Sequence, residues 1–287
     1  MSIWTRLGHR AFRVGFADAA GVATRVLRLG DGGEAVVLLH GTSSHLEVYA
    51  GNVGAYADAG YEVHALDMLG HGYTAPAKHD LEVPDYVAHL RDYLDACGLD
   101  RVHLVGESLG GWVAATFAGE LPERVRSLQL VASGGTRAVP EVMRRIRETT
   151  TRAVQSPDRT LTRERLANLL IDPESVDEEL VDVRYAIYHQ PAFQAALPHL
   201  LCMQDMDVRT RNLLTPGRLA RIGAPTLVHW GRHNPMGDVS EAEGIAAAVP
   251  GARLEIYEHC GHFPQIEYPE KFNGLSVGFL RSLEEDG

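Results

Sequence analysis

Positive charge is scarce in this sequence: 27 lysines and arginines face 38 aspartates and glutamates, for a net charge of −11. Without a basic stripe there is no counterion release to drive binding to nucleic acid, so no such partner is expected. Long apolar runs are missing too. None approaches the ~20 residues that cross a bilayer, so no membrane partner is expected. The opening stretch MSIWTRLGHRAF lacks the apolar segment of a secretory signal. Cysteine is nearly absent. Cys97, Cys202 and Cys260 show no metal-ligand spacing, and an odd count without a signal favours reduced thiols in a cytoplasmic setting. The reading therefore calls for no metal and no cofactor.

What is present is ordinary for a globular chain. Its 287 residues, 45% hydrophobic and 23% charged, suffice for one large α/β domain with an inserted subdomain. RAFRVGF and VATRVLRLG, on either side of ADAAG, read as a β-hairpin. EAVVLLHG, from Glu34 to Gly41, is a short apolar run ending in glycine, as a buried strand would be. YEVHALDMLGHG holds the next strand, and VPDYVAHLRDYLDACG has helical spacing before Gly98. RVHLVGESLGGWVAATFAGE reads as strand, sharp turn and helix. VRSLQLVASGG, PTLVHWG and ARLEIYEHCGH add strands, and PEKFNGLSVGFLRSL closes as a helix. Strands alternating with helices imply a mostly parallel sheet, with sites at the carboxyl ends of the strands.

One stretch breaks the alternation. From Arg137 to Pro216 the pattern offers only helices, such as PEVMRRIRETTTRAV, TRERLANLL and ESVDEELVDVRYAIY. This predicts a helical cap over residues 137–216, inserted after the sixth strand, between core segments 1–136 and 217–287. Between Arg144 and Arg165 lie seven arginines and three acids. They are either a solvated helix face or a positive funnel for an anionic substrate.

The central motif is GESLGG, Gly106 to Gly111. A G-x-S-x-G between a strand and a helix is a nucleophile elbow, with small residues flanking Ser108 because the turn is so tight. It sets the serine hydroxyl at a helix N-terminus, where backbone N–H groups can bind a developing oxyanion. Downstream, EHCGHFPQIEYPEKFN places His262 after the last strand, as a general base for the Ser108 proton. Cys260 beside it reads as packing, and His40, at the end of an earlier strand, as a brace for its loop.

These stretches resemble the α/β-hydrolase superfamily along nearly the whole chain. Within it they are similar to the meta-cleavage-product hydrolases, the carbon–carbon bond hydrolases of aromatic catabolism. The narrower likeness rests on DMLGHGYT, GESLGGWVAA, VRYAIYHQP, LARIGAPTLVHWG and CGHFPQIEYPEKFN. It implies an α/β-hydrolase fold and the chain order serine, acid, histidine. It implies oxyanion donors at Leu109 and in the Thr42–Ser43 region, a substrate carboxylate on Arg184, and a substrate pocket that includes Trp112 and Phe263. Three positions depart from the family pattern. Glu107 precedes the nucleophile where asparagine is frequent, Phe263 follows the base where tryptophan is common, and HGTSSH replaces a glycine-rich loop.

The acid is a fourth departure. The family places it four residues after the tryptophan of WG, and here that residue is Asn234. An amide can accept a hydrogen bond from imidazole but brings no charge, and in a serine protease that exchange costs ~10⁴ in turnover. NPMG suits a type I turn, which would bring Asp238 back toward the same point. Asp238 is therefore the expected acid. The alternatives are Asn234 as a neutral orienter, or an acid from elsewhere such as Glu107.

The resemblance implies hydrolysis of a 2-hydroxy-6-oxo-hexa-2,4-dienoate type ring-fission product, a small and anionic substrate. An ester or lactone hydrolase with the same residues is the first alternative, and a non-catalytic ligand receptor on this fold is one of another class. A homo-oligomer is compatible with the sequence.

Overall fold

The computed structural model describes residues 2–285. The described residues form one eight-stranded sheet ordered β1-β2-β4-β3-β5-β6-β7-β8. The strands are β1 (Phe12–Ala19), β2 (Val22–Leu29), β3 (Ala35–Leu39), β4 (Glu62–Leu66), β5 (Val102–Glu107), β6 (Val125–Val131), β7 (Thr226–Gly231) and β8 (Arg253–Tyr257). β1 and β2 form the expected hairpin, turned by Ala20 and Gly21 at φ 50° and 88°. Two successive left-handed residues are what a type I′ turn requires. β2 joins β4 antiparallel, and every later pairing is parallel.

Helices cover both faces. In chain order they are α1 (Val53–Asp58), α2 (Val83–Ala96), α3 (Leu109–Glu120), α4 (Pro140–Gln155), α5 (Arg159–Ala167), α6 (Glu178–Tyr188), α7 (Pro191–Leu200), α8 (Met206–Asn212), α9 (Pro216–Leu219), α10 (Val239–Ala248), α11 (Pro264–Glu267) and α12 (Pro269–Glu285). β3 and β5 are buried along their whole length, so they read as apolar runs rather than alternating ones. Val37 and Leu39 pack with α2 and α3 on one face, while Val36 and Leu38 pack with Phe272 and Leu280 of α12 on the other. The segment between β6 and β7 is α4 to α9, with no strand among its described residues. No helix among the described residues is long and apolar enough to cross a membrane.

The parallel strands deliver their loops to one edge. β3 leads into His40–His45, β5 into Ser108, β7 into Arg232–Asp238 and β8 into Glu258–Phe263. Residues far apart in sequence meet there because adjacent parallel strands end side by side.

Candidate active site

β5 ends at Glu107 and α3 begins at Leu109, so Ser108 alone turns the chain. Its backbone lies at φ 52° and ψ −112°. Such a conformation costs of order 1–3 kcal/mol in a non-glycine residue and persists only where the surroundings enforce it. Here Ser108 N–H donates to Val131 O at 3.0 Å, and Ser108 O accepts from Gly134 and Trp112. Strand and helix cross too closely for side chains. A Cβ on Gly106 would lie 2.3 Å from Gly110 O, and one on Gly110 would lie 2.1 Å from Leu39 O. Gly110→Ala should therefore lower stability by about 3 kcal/mol or more, seen as a depressed thermal midpoint. Gly244→Ala, on α10 where a Cβ meets nothing within 4 Å, should leave the midpoint equal or higher. Equal losses for the two would contradict this packing.

His262 sits past β8, with its backbone N–H on Leu169 O of the insert at 2.7 Å. Its Nδ1 lies 2.8 Å from Asn234 Oδ1. The same oxygen accepts Met236 N–H at 3.0 Å, which fixes the orientation of the amide and makes His262 Nδ1 the donor. On the opposite side of the ring, Nε2 lies 3.0 Å from Glu107 Oε1. Glu107 is 1% exposed, and neither of its oxygens has a well-aligned hydrogen bond among the described residues. The contact with Nε2 is thus one of charge and distance. The ring of Phe263 packs on that of His262, centroids 5.1 Å apart.

Asp238, the acid expected from the sequence, is elsewhere. The turn forms, with Gly237 N–H to Asn234 O at 3.4 Å, but Asp238 is the N-cap of α10. A capping side chain turns to its own helix. Its carboxylate accepts from Ser240 N–H at 3.1 Å, pairs with Arg137 at 3.2 Å, and is 65% exposed. The Ser240 hydroxyl first, and Arg137 second, hold its carboxyl below the usual range. The sequence carried the signal: DVSE, Asp238 to Glu241, is a capping pattern ahead of an apolar helix.

The loop after β3 is braced from behind. His40 Nδ1 meets Gly41 O at 2.8 Å and Nε2 accepts Met68 N–H at 3.1 Å. Burial pushes the His40 imidazole well below its ordinary range, so it stays neutral. Leu109 is the first residue of α3, where N–H groups have no partner within the helix. Leu109 and Thr42 border the cleft. Ser43 faces away from it: its hydroxyl donates to Thr42 O at 2.7 Å and accepts from Arg165 at 2.8 Å.

Arg184 of α6 enters the cleft beside Ser108 and is 2% exposed. It donates to Ser44 Oγ at 2.8 Å, while its buried Nε has no partner among the described residues. Desolvation lowers its pKa, yet a guanidinium remains charged. Arg165 of α5 is 7% exposed and also lines the cleft, bonded to Ser43 Oγ and to Tyr188 Oη at 3.3 Å. Sequence reasoning counted Arg165 only as one of a run. The signal was its place four residues after half-buried Leu161 and next to buried Leu166, on the apolar side of α5. Arg144, Arg159 and Arg163 lie on the surface in ion pairs with Glu148, Asp182 and Glu178. Trp112 walls the cleft, with Nε1 on Asn212 O at 3.0 Å and the Arg209 guanidinium 5.1 Å from its ring. Val142, Met143, Ile146, Leu169, Met236 and Phe263 make another part of the wall apolar.

Known proteins share this fold and much of this sequence. A family model described as the alpha/beta hydrolase fold matches residues 34–269. The chain is 32% identical over 262 residues to a 2-hydroxy-6-oxo-6-phenylhexa-2,4-dienoate hydrolase of Comamonas testosteroni, covering 87% of this chain and 88% of that protein. It is 31% identical over 259 residues to a 2-hydroxy-6-oxononadienedioate/2-hydroxy-6-oxononatrienedioate hydrolase of Paraburkholderia xenovorans, covering 88% of each. Among solved structures it is similar to a meta-cleavage product hydrolase from Pseudomonas fluorescens, with a TM-score of 0.80 and 27% identity over 94% of this chain and 97% of that one.

Proposed function

We infer that this chain, which belongs to the alpha/beta hydrolase fold family, is a serine-dependent hydrolase of a carbon–carbon bond in a 2-hydroxy-6-oxo-hexa-2,4-dienoate type ring-fission product. The observation that carries the reading is Arg184: a buried guanidinium, with an unsatisfied Nε, in the same cleft as Ser108. A buried guanidinium N–H left without an acceptor is costly, so the site suits a ligand that brings a carboxylate. Arg184 and Ser44 hold that carboxylate, and the C6 carbonyl lies over Ser108. The C6 substituent takes the apolar wall of Met143, Ile146, Leu169 and Met236. The substrate is first converted to its keto form with help from His262. Ser108 Oγ then adds to C6, its proton passes to His262, and Leu109 N–H and the Thr42 segment bind the oxyanion. The C5–C6 bond breaks with its electron pair entering the dienoate. Water releases the second product as a carboxylic acid.

The purified protein should consume the coloured 6-phenyl dienoate faster than p-nitrophenyl esters. Arg184→Gln removes a charge-assisted contact worth ~1.5–3 kcal/mol, so the dienoate should lose about tenfold or more in kcat/KM while neutral esters lose little. Equal losses on both, or turnover of esters alone, would favour an ester hydrolase instead.

A further inference from the structure

We propose that Glu107 is the ionic partner of His262, supplying beside the nucleophile the charge that Asn234 cannot, and that the two form an ion pair in the free protein. The proposal builds on the carbon–carbon hydrolase reading for its chemical use, but its core concerns the unliganded site.

The argument begins with hydrogen-bond direction. Asn234 Oδ1 accepts from both Met236 N–H and His262, so Nδ1 carries a proton. Nε2 then faces a carboxylate oxygen at 3.0 Å. A buried carboxylate without a hydrogen bond needs an opposite charge close by. The contact between the two groups is therefore one of opposite charge, imidazolium against carboxylate, rather than an aligned hydrogen bond. The carboxylate has few other means of support. It is buried, and neither oxygen has a well-aligned hydrogen bond among the described residues. Arg184 reaches it through space, and Tyr49 lies within electrostatic range. Its room is made by Gly41, where a Cβ would come 2.6 Å from Oε2. The glutamate is also one residue from Ser108, on a strand end that the sheet holds rigidly.

The proton on Nε2 has a use in the reaction. With the ring-fission product bound as its ionised enol, the proton on Nε2 passes to C5, and the electron pair of the 2-oxido group closes the C2 carbonyl. Nε2 is then empty. It takes the Ser108 proton as Oγ adds to C6, and the resulting imidazolium faces Glu107. Asn234 holds the ring, and Glu107 carries the charge.

Nitrogen-15 NMR of the histidine-labelled free protein at neutral pH tests this, with His262→Gln used to assign the ring signals. Two protonated ring nitrogens on His262 are expected in the wild type. Glu107→Gln, which keeps the shape and removes the charge, should leave Nδ1 alone protonated. It should also lower kcat on the dienoate by about tenfold or more, the scale of one charge-assisted hydrogen bond, with KM changed much less. Adding Asn234→Asp to that variant should restore much of the loss by returning a carboxylate to the other nitrogen. An unprotonated Nε2 in the wild type overturns the proposal, whatever the substrate. So does a Glu107→Gln enzyme with unchanged kcat. Failure of the dienoate to react at all would instead refute the carbon–carbon reading, and the ring signals would still decide the pair.

Discussion

Ser108→Ala is expected to lower turnover by about 10⁶-fold, the scale seen when a serine nucleophile is removed from a comparable triad. Alanine fits the elbow as serine does. The backbone there is held at φ 52° by hydrogen bonds to Val131 and Gly134 that involve no side chain. Folding and substrate binding should therefore survive, and titration of the inactive variant with the dienoate should still saturate. His262→Ala should cost about as much, and the double variant little more than either alone, because base and nucleophile act as one unit. Independent, multiplying losses would mean that Ser108 and His262 do not share a step. A Ser108→Ala enzyme with a tenth of wild-type activity would remove the serine from the mechanism.

The second large effect belongs to Asn234. Asn234→Ala takes away the acceptor that aims the His262 ring and leaves Met236 N–H without its partner. A catalytic group displaced by about 1 Å can cost 10²-fold, so kcat should fall about a hundredfold or more. Asp238→Asn should stay within about twofold, as surface substitutions away from the site usually do. Its carboxylate caps α10 and pairs with Arg137 at the surface. Steady-state kinetics on the two single variants decide the matter. The reverse order, with Asp238→Asn crippled, would restore the assignment suggested by the sequence and contradict the geometry of the loop.

Much of this molecule is legible one-dimensionally because its signals are local. The elbow is so, since strand, G-x-S-x-G and apolar helix occupy one continuous stretch, Val102 to Glu120. The β1–β2 hairpin is equally local, and so is the strand-free insert, whose helices keep their own apolar period. His262 could be placed because its loop follows the last strand directly. The arginine run stays open between two readings in sequence for the opposite reason. Helical charges look alike in sequence, and only packing separates Arg165, buried against Ser43 and Tyr188, from Arg159, paired on the surface with Asp182.

The partner of His262 lies at the boundary between the two kinds of information. Sequence by itself determined that Asn234 occupies the position after β7 where a carboxylate would be expected, and that Glu107 stands beside Ser108. It could not choose among Asn234, Asp238 and Glu107, because the choice depends on where side chains point once parallel strands have been laid side by side. Helix capping turned Asp238 outward to its own N–H groups, although it is only four residues from Asn234. The pairing of β5 with β6, and of β6 with β7, brought Glu107 and Asn234 to opposite sides of one imidazole, although 127 residues separate them in the chain (234 − 107). Hydrogen bonds and short-range charge act over a few ångströms of space, and it was the tertiary structure that set those distances.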